Sequence, residues 1–178
     1  MVRKIVNSKD PQLRAVAKPI GRIDAKVKEI IKDLIDTLGI QKDPEGVGLA
    51  APQIGKSLRV FVTNYHNFKK VFINPDILET HASPTTGHRP SVTKSDILEG
   101  CLSLPNYYSP VKRAASVKLK YLDENGKKVV ETFSGFHAQI ILHEIDHLNG
   151  ILFIDRLLEQ KKPLYKLEKD KWEEVELV

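Results

Sequence analysis

Ser134-Gly135-Phe136-His137-Ala138-Gln139-Ile140-Ile141-Leu142-His143-Glu144-Ile145-Asp146-His147-Leu148-Asn149-Gly150 is the stretch around which the rest of the chain is read. It predicts one helix, opened at Ser134 or Gly135 and ended by Asn149-Gly150. The apolar neighbours Ile140, Ile141, Ile145 and Leu148 make that helix largely buried. His143 and His147 are four apart, so they share a face and both imidazoles can reach one metal ion. Glu144 follows the first of them, within reach of a water on that metal. Two histidines and a glutamate buried without partners are costly, and a metal relieves that cost.

Outward from this helix, the chain of 178 residues is 41% hydrophobic and 29% charged, which suits one soluble domain with one core. Asp10-Pro11-Gln12-Leu13-Arg14 reads as a helical turn with Asp10 as cap and Pro11 first. Asp24 opens a clearer helix, with Val27, Ile30, Ile31, Leu34, Ile35 and Leu38 at helical spacing and Gly39 as its end. Arg59 to Thr63 and Val71 to Asn74 read as strands. Residues 79–94 are polar, with Pro84, Gly87 and Pro90, and read as a long surface loop. Val117 to Leu122 and Lys127 to Phe133 flank Asp123-Glu124-Asn125-Gly126, a strong hairpin signal. After Leu158 the chain becomes charged and Pro163 interrupts it, so residues 159–178 read as a tail, a short helix or a frayed end. The expected fold is α+β, with antiparallel sheets packed around the central HExxH helix and residues 1–178 as a single catalytic domain.

No stretch approaches the roughly 18 apolar residues of a membrane span. Met1 to Val6 lacks the apolar run of a secretory signal, and no transit peptide is evident. The net charge of +5 is spread out and accompanied by no nucleic-acid motif, so it reads as a solvated surface. The one cysteine, Cys101, can form no intramolecular disulfide.

A catalytic metal site needs a third protein ligand and an open position for water. The extended HExxHxxGxxH pattern would place a histidine at Phe153 and is excluded. Glu168, a downstream carboxylate, and Cys101 remain as candidates. The first makes a zinc peptidase of the chain. A site closed by four ligands would instead make it a metal-stabilised module for peptide N-termini.

Cys101 stands in Glu99-Gly100-Cys101-Leu102-Ser103-Leu104-Pro105. With Gly46-Val47-Gly48-Leu49-Ala50-Ala51-Pro52-Gln53 before it and His143-Glu144-Ile145-Asp146-His147 after it, the chain resembles the peptide deformylase family in three motifs, in order and at similar spacing. The resemblance implies that Cys101, His143 and His147 hold one divalent metal, with water in the fourth position. It favours Fe²⁺, while Zn²⁺, Ni²⁺ or Co²⁺ suit the same donors. It implies Glu144 as general base, and Gln53 and the Leu102 N–H as donors to the tetrahedral oxyanion. It further implies an extended peptide along Gly46 and Gly48, Glu99 fixing the site's geometry, and Val47, Phe136 and Ile140 lining a pocket for methionine.

The implied substrate is an N-formylmethionyl nascent peptide, with formate as product, and the implied setting is the bacterial cytoplasm. Organelle or phage origin fits the same residues. The charged end reads by default as solvated, with a ribosome contact as the alternative. The chain departs from the family pattern at Tyr107-Tyr108, where an arginine is common, and Arg113 lies further on. Leu142 replaces a glutamine, and the loop before Glu99 is long. These departures bear on how Glu99 is held and how the peptide beyond methionine is gripped.

Overall fold

The computed structural model describes residues 1–42, 45–82 and 98–176. Asp10 caps a 3-10 turn, Pro11–Arg14, by accepting from the Gln12 N–H. Asp24 caps helix α1, Ala25–Gly39, by accepting from Val27. Strands β1 (Gly48–Ala50), β2 (Val60–Tyr65) and β3 (Phe68–His81) follow, then β4 (Glu99–Cys101), β5 (Leu104–Ser109), β6 (Ser116–Leu122) and β7 (Lys128–Ser134). The HExxH helix is α2, Gly135–Leu148, succeeded by α3 (Phe153–Glu159), β8 (Leu164–Glu168) and β9 (Lys171–Val175). The architecture is α+β, as expected, with two antiparallel sheets ordered β1-β2-β3-β6-β7 and β4-β5-β8-β9.

The alternation of β2 explains how the larger sheet is sandwiched. Phe61 joins Phe72, Leu119, Ile141 and Ile145 in the cluster beneath α2. Val60 and Val62 face the other way, against Ile30, Ile31, Leu34 and Leu38 of α1. Successive strand residues point to opposite faces, so a continuous apolar run is what a strand covered on both sides requires. The smaller sheet buries Leu164 and Cys101 against Phe153 and Leu157 of α3. No helix among the described residues is long and apolar enough to cross a membrane.

Three expectations are corrected. Strand β3 does not stop at Asn74 but continues to His81, past a register shift between Ile73 and Asp76. Pro75 lacks an N–H for the ladder, and Asn74 takes a φ of 49° while exchanging two side-chain hydrogen bonds with the Ile20 backbone. Residues 79–81 are therefore strand, and residues 83–94 of the expected loop lie outside the described residues. Of the charged end after Leu158, Glu159 completes α3, and residues 164–175 are neither helix nor frayed. They form the β8–β9 hairpin, whose β8 pairs with β5 through Tyr107–Lys166 and Tyr108–Tyr165. Charge is a poor guide here because one face of this hairpin is solvated while Leu164 and Val175 on the other join the third cluster.

Candidate metal centre

Helix α2 carries both histidines on the face turned toward β4. Gly150 closes the helix in the left-handed region at φ 72°, and a Cβ there would collide with the Arg14 backbone, so glycine is required. The Nε2 atoms of His143 and His147 lie 3.2 Å apart. Cys101, at the end of β4, places its Sγ 3.3 Å from the Nε2 of His147. Ligands on one tetrahedral first-row ion, with bonds of roughly 2.0–2.3 Å, sit roughly 3.3–3.6 Å from each other. Two of the three separations already stand at about that spacing, all three donors lie within 4.8 Å of one another, and all three side chains are buried.

Burial would raise the Cys101 thiol, but the charge of His147 and the hydrogen bond from His143 outweigh it. They hold the thiol well below its ordinary range. A thiolate is the form that binds metal. Glu168, the other candidate ligand, is exposed on β8 and pairs with Lys166. It does not belong to the cluster.

Glu144 is buried, and its Oε2 has no hydrogen-bond partner among the described residues. Burial pushes its carboxyl up to about 7, against the lowering effect of both imidazoles. That is the range in which a base both accepts and returns a proton near neutral pH. Room for it comes from Gly48: a Cβ on that residue would lie 2.5 Å from the Oε1 of Glu144.

Gln53 sits in the 3-10 turn Ala51–Ile54 that follows β1. Its Oε1 accepts from the Ala50 N–H at 2.8 Å. That bond settles the amide's orientation and leaves Nε2 to donate toward Ser103 Oγ at 3.2 Å and Cys101 Sγ at 3.8 Å.

Glu99 accepts from the Nδ1 of His143 at 2.8 Å. Arg113 holds both oxygens of that carboxylate, its Nη2 donating at 2.6 Å to the Oε1 shared with His143 and its Nε at 2.9 Å to Oε2. Arg113 also donates to Asp146 at 2.5 Å, and Arg156 binds the same Asp146. An ion-pair chain thus runs from α3 through α2 to β4 and ends on a metal-ligand candidate. Arg113, not a residue at Tyr107 or Tyr108, is what holds Glu99. The sequence signal for this network is Asp146, a carboxylate on a buried helix face that demands a cation; Ser103 carries no comparable signal.

A cavity of about 330 Å³ opens onto the donors. Val47, Gly48, Leu102, Phe136 and Ile140 line it together with Gln53, Glu99, Cys101, His143 and Glu144. His147 is fully buried and does not line it. Gly46 does not line the cavity; a Cβ there would meet Leu38 Cδ1 at 2.7 Å and Gln41 Cβ at 2.8 Å, so it serves packing against the end of α1. Tyr108, at the departure from the family pattern, also lines the cavity, as do Tyr65 and Gln139, which nothing in the sequence around them marks as site residues.

Residues 2–163 match the family model of polypeptide deformylase. The chain belongs to that family. A peptide deformylase of Mesorhizobium japonicum is 40% identical over 180 residues, covering 96% of this chain and 95% of that protein. The crystal structure of peptide deformylase from Thermotoga maritima superposes with a TM-score of 0.74 at 39% identity, over 88% of this chain and 97% of that one. A Synechococcus elongatus peptide deformylase in complex with actinonin gives a TM-score of 0.72 at 35% identity, over 85% and 76% of the two chains. Deformylases are enzymes that remove the formyl group from N-terminal methionine, and a site for one metal ion at Cys101, His143 and His147 agrees with that chemistry.

Proposed function

We propose that this deformylase hydrolyses the formamide of N-formylmethionyl nascent peptides at the Cys101–His143–His147 centre. The observation that carries the residue-level reading is the convergence of these three donors beside the partnerless, buried Oε2 of Glu144. Cys101, His143 and His147 would hold a divalent cation, which when bound would supply Lewis acidity that brings the pKa of a water toward neutrality. Glu144 takes a proton at its carboxylate from the water whose oxygen bonds to the formyl carbon, and delivers it to the amine nitrogen as the C–N bond breaks. Gln53, its amide orientation locked by Ala50, donates from Nε2 to the developing oxyanion, and the backbone N–H of Leu102 is the second donor. Formate and a free α-amine leave.

Among the described residues, strand β1 is an edge of its sheet, paired with β2 alone. Its free edge at Gly48 suits addition of an extended peptide, and Val47, Phe136 and Ile140 give the methionine side chain an apolar wall. Glu99 orients His143 and raises its basicity as a ligand. Residues 1–178 act as one catalytic domain, since both sheets contribute to the site. Fe²⁺ is the proposed native ion; Zn²⁺, Ni²⁺ and Co²⁺ are accepted by the same donor set. The bacterial cytoplasm, where formylated chains emerge from ribosomes, is the proposed setting.

The test is formate release from formyl-Met-Ala-Ser by anaerobically purified protein, with elemental analysis of the same sample. One metal per chain and stoichiometric formate are expected; binding of the peptide without formate release overturns the reading.

A further inference from the structure

The family model ends at Pro163, yet the hairpin beyond it reaches the rim of the catalytic cavity. Tyr108 of β5 lines that cavity, and its ring lies over Gly100, where a Cβ would stand 2.7 Å from it. Across the ladder, Tyr108 pairs with Tyr165 of β8, and Leu167 of β8 pairs with Trp172 of β9. Paired residues share a face, and so do residues two apart on one strand. Tyr108, Tyr165, Leu167 and Trp172 therefore form one stripe, while Tyr107, Leu164 and Val175 pack into the core. Trp172 meets Tyr108 edge-on, with ring centroids 5.3 Å apart, and remains 51% exposed. This apolar stripe is continuous with the cavity through Tyr108.

We propose that Trp172, set against Tyr108 by the C-terminal hairpin, is a specificity-determining residue that contacts the third and fourth residues of the peptide substrate and favours aromatic side chains there. The proposal rests on the deformylase reading of the cavity. An extended peptide rises ~3.3 Å per residue, so about three to four residues reach roughly 10–13 Å; a chain leaving the Cys101 end of the cavity across Tyr108, whose ring covers Gly100 and stands 5.3 Å from Trp172, is proposed to use that reach. Aromatic side chains gain from offset or edge-on ring contacts, and a tryptophan at a rim presents a large rigid surface at low entropic cost.

Trp172 is the sole tryptophan of the chain, so its fluorescence reports contact directly. Metal-loaded full-length Glu144→Gln protein is titrated with formyl-Met-Ala-Phe-Phe and with formyl-Met-Ala-Gly-Gly. In parallel, kcat and KM for both peptides are measured in the wild type, Trp172→Ala and Trp172→Phe. The expected result is a fluorescence change with the Phe-Phe peptide alone. The wild-type preference for that peptide is expected to fall about two- to tenfold in Trp172→Ala, through KM, and to be largely retained in Trp172→Phe. Equal or absent fluorescence responses, or a preference ratio untouched in Trp172→Ala, overturn the proposal. Failure of the wild type to release formate from either peptide overturns the deformylase reading instead, and the fluorescence titration still decides whether peptide reaches Trp172.

Discussion

Arg113 donates to both oxygens of the Glu99 carboxylate, at 2.6 and 2.9 Å, and so presses that carboxylate against the Nδ1 of His143. The pair is almost wholly buried, with side chains 8% and 4% exposed. Removing the cation leaves the buried Glu99 carboxylate with His143 alone, while Asp146 keeps Arg156. Arg113→Ala is expected to lose about 3–5 kcal/mol of stability and to weaken metal retention about 10- to 100-fold. Arg113→Lys repairs little of this, because a point charge cannot span both carboxylates as the planar guanidinium does. Urea titration and competition with a chelator measure the two effects separately.

Cys101→Ala leaves two imidazoles and no thiolate. The metal content of the purified protein is expected to collapse. Retention of one metal per chain would mean that the sulfur is not a ligand, and elemental analysis decides it.

Glu144→Gln keeps the shape of the side chain and removes the base. Metal content is expected to stay at one per chain while kcat falls by about 10²–10⁴. Activity within a few-fold of the wild type would remove Glu144 from the proton transfer.

Gly48→Ala introduces a methyl group 2.5 Å from the Glu144 Oε1. Displacement of that carboxylate is expected to lower kcat more than it raises KM, with a stability cost of about 1–3 kcal/mol from overpacking. Steady-state kinetics on a formyl-Met dipeptide give the split.

Stability is expected to fall in acid. Burial would raise the Asp146 carboxyl, but the hydrogen bond from Arg156 and the charge of Arg113 hold it below the ordinary value. Asp33 is lowered by the hydrogen bond from the Met1 amine and then, against burial, by Arg3. Both groups bind protons more tightly in the unfolded chain, so their stabilisation is complete above the unfolded carboxylate range. It drains away as pH falls through the depressed folded values. The urea midpoint should hold down to about pH 5 and drop below about pH 4. A midpoint that stays level to about pH 3 would mean that these carboxylates are not ion-paired.

Some elements are legible in the sequence because their cause is local. Asp10 and Asp24 cap the turns they precede, α1 follows its 3.6-residue period, and the Asp123–Gly126 turn joins β6 to β7. The pair His143 and His147 is legible for the same reason, since helical spacing alone puts them on one face. Other features are not. β4 and β5 are short and broken by Pro105 and a register shift at Cys101, so no alternation marks them. The β8–β9 hairpin reads as a charged tail until its inner residues are seen against α3. Gly46 and Gly48, alike in sequence, serve different purposes, since one packs against α1 and the other makes room for Glu144.

By itself the sequence determined α1, α2, the β6–β7 hairpin and the three motifs, because caps, periodicity and turn chemistry act between residues a few positions apart; α3 was not read from it. Only the tertiary structure decided that Cys101 meets imidazoles far along the chain, that Arg113 holds Glu99, and that Trp172 stands beside the cavity. Those pairings depend on how the two sheets pack around α2 and on burial that makes each isolated charge find its partner, and neither is written in any local stretch of chain.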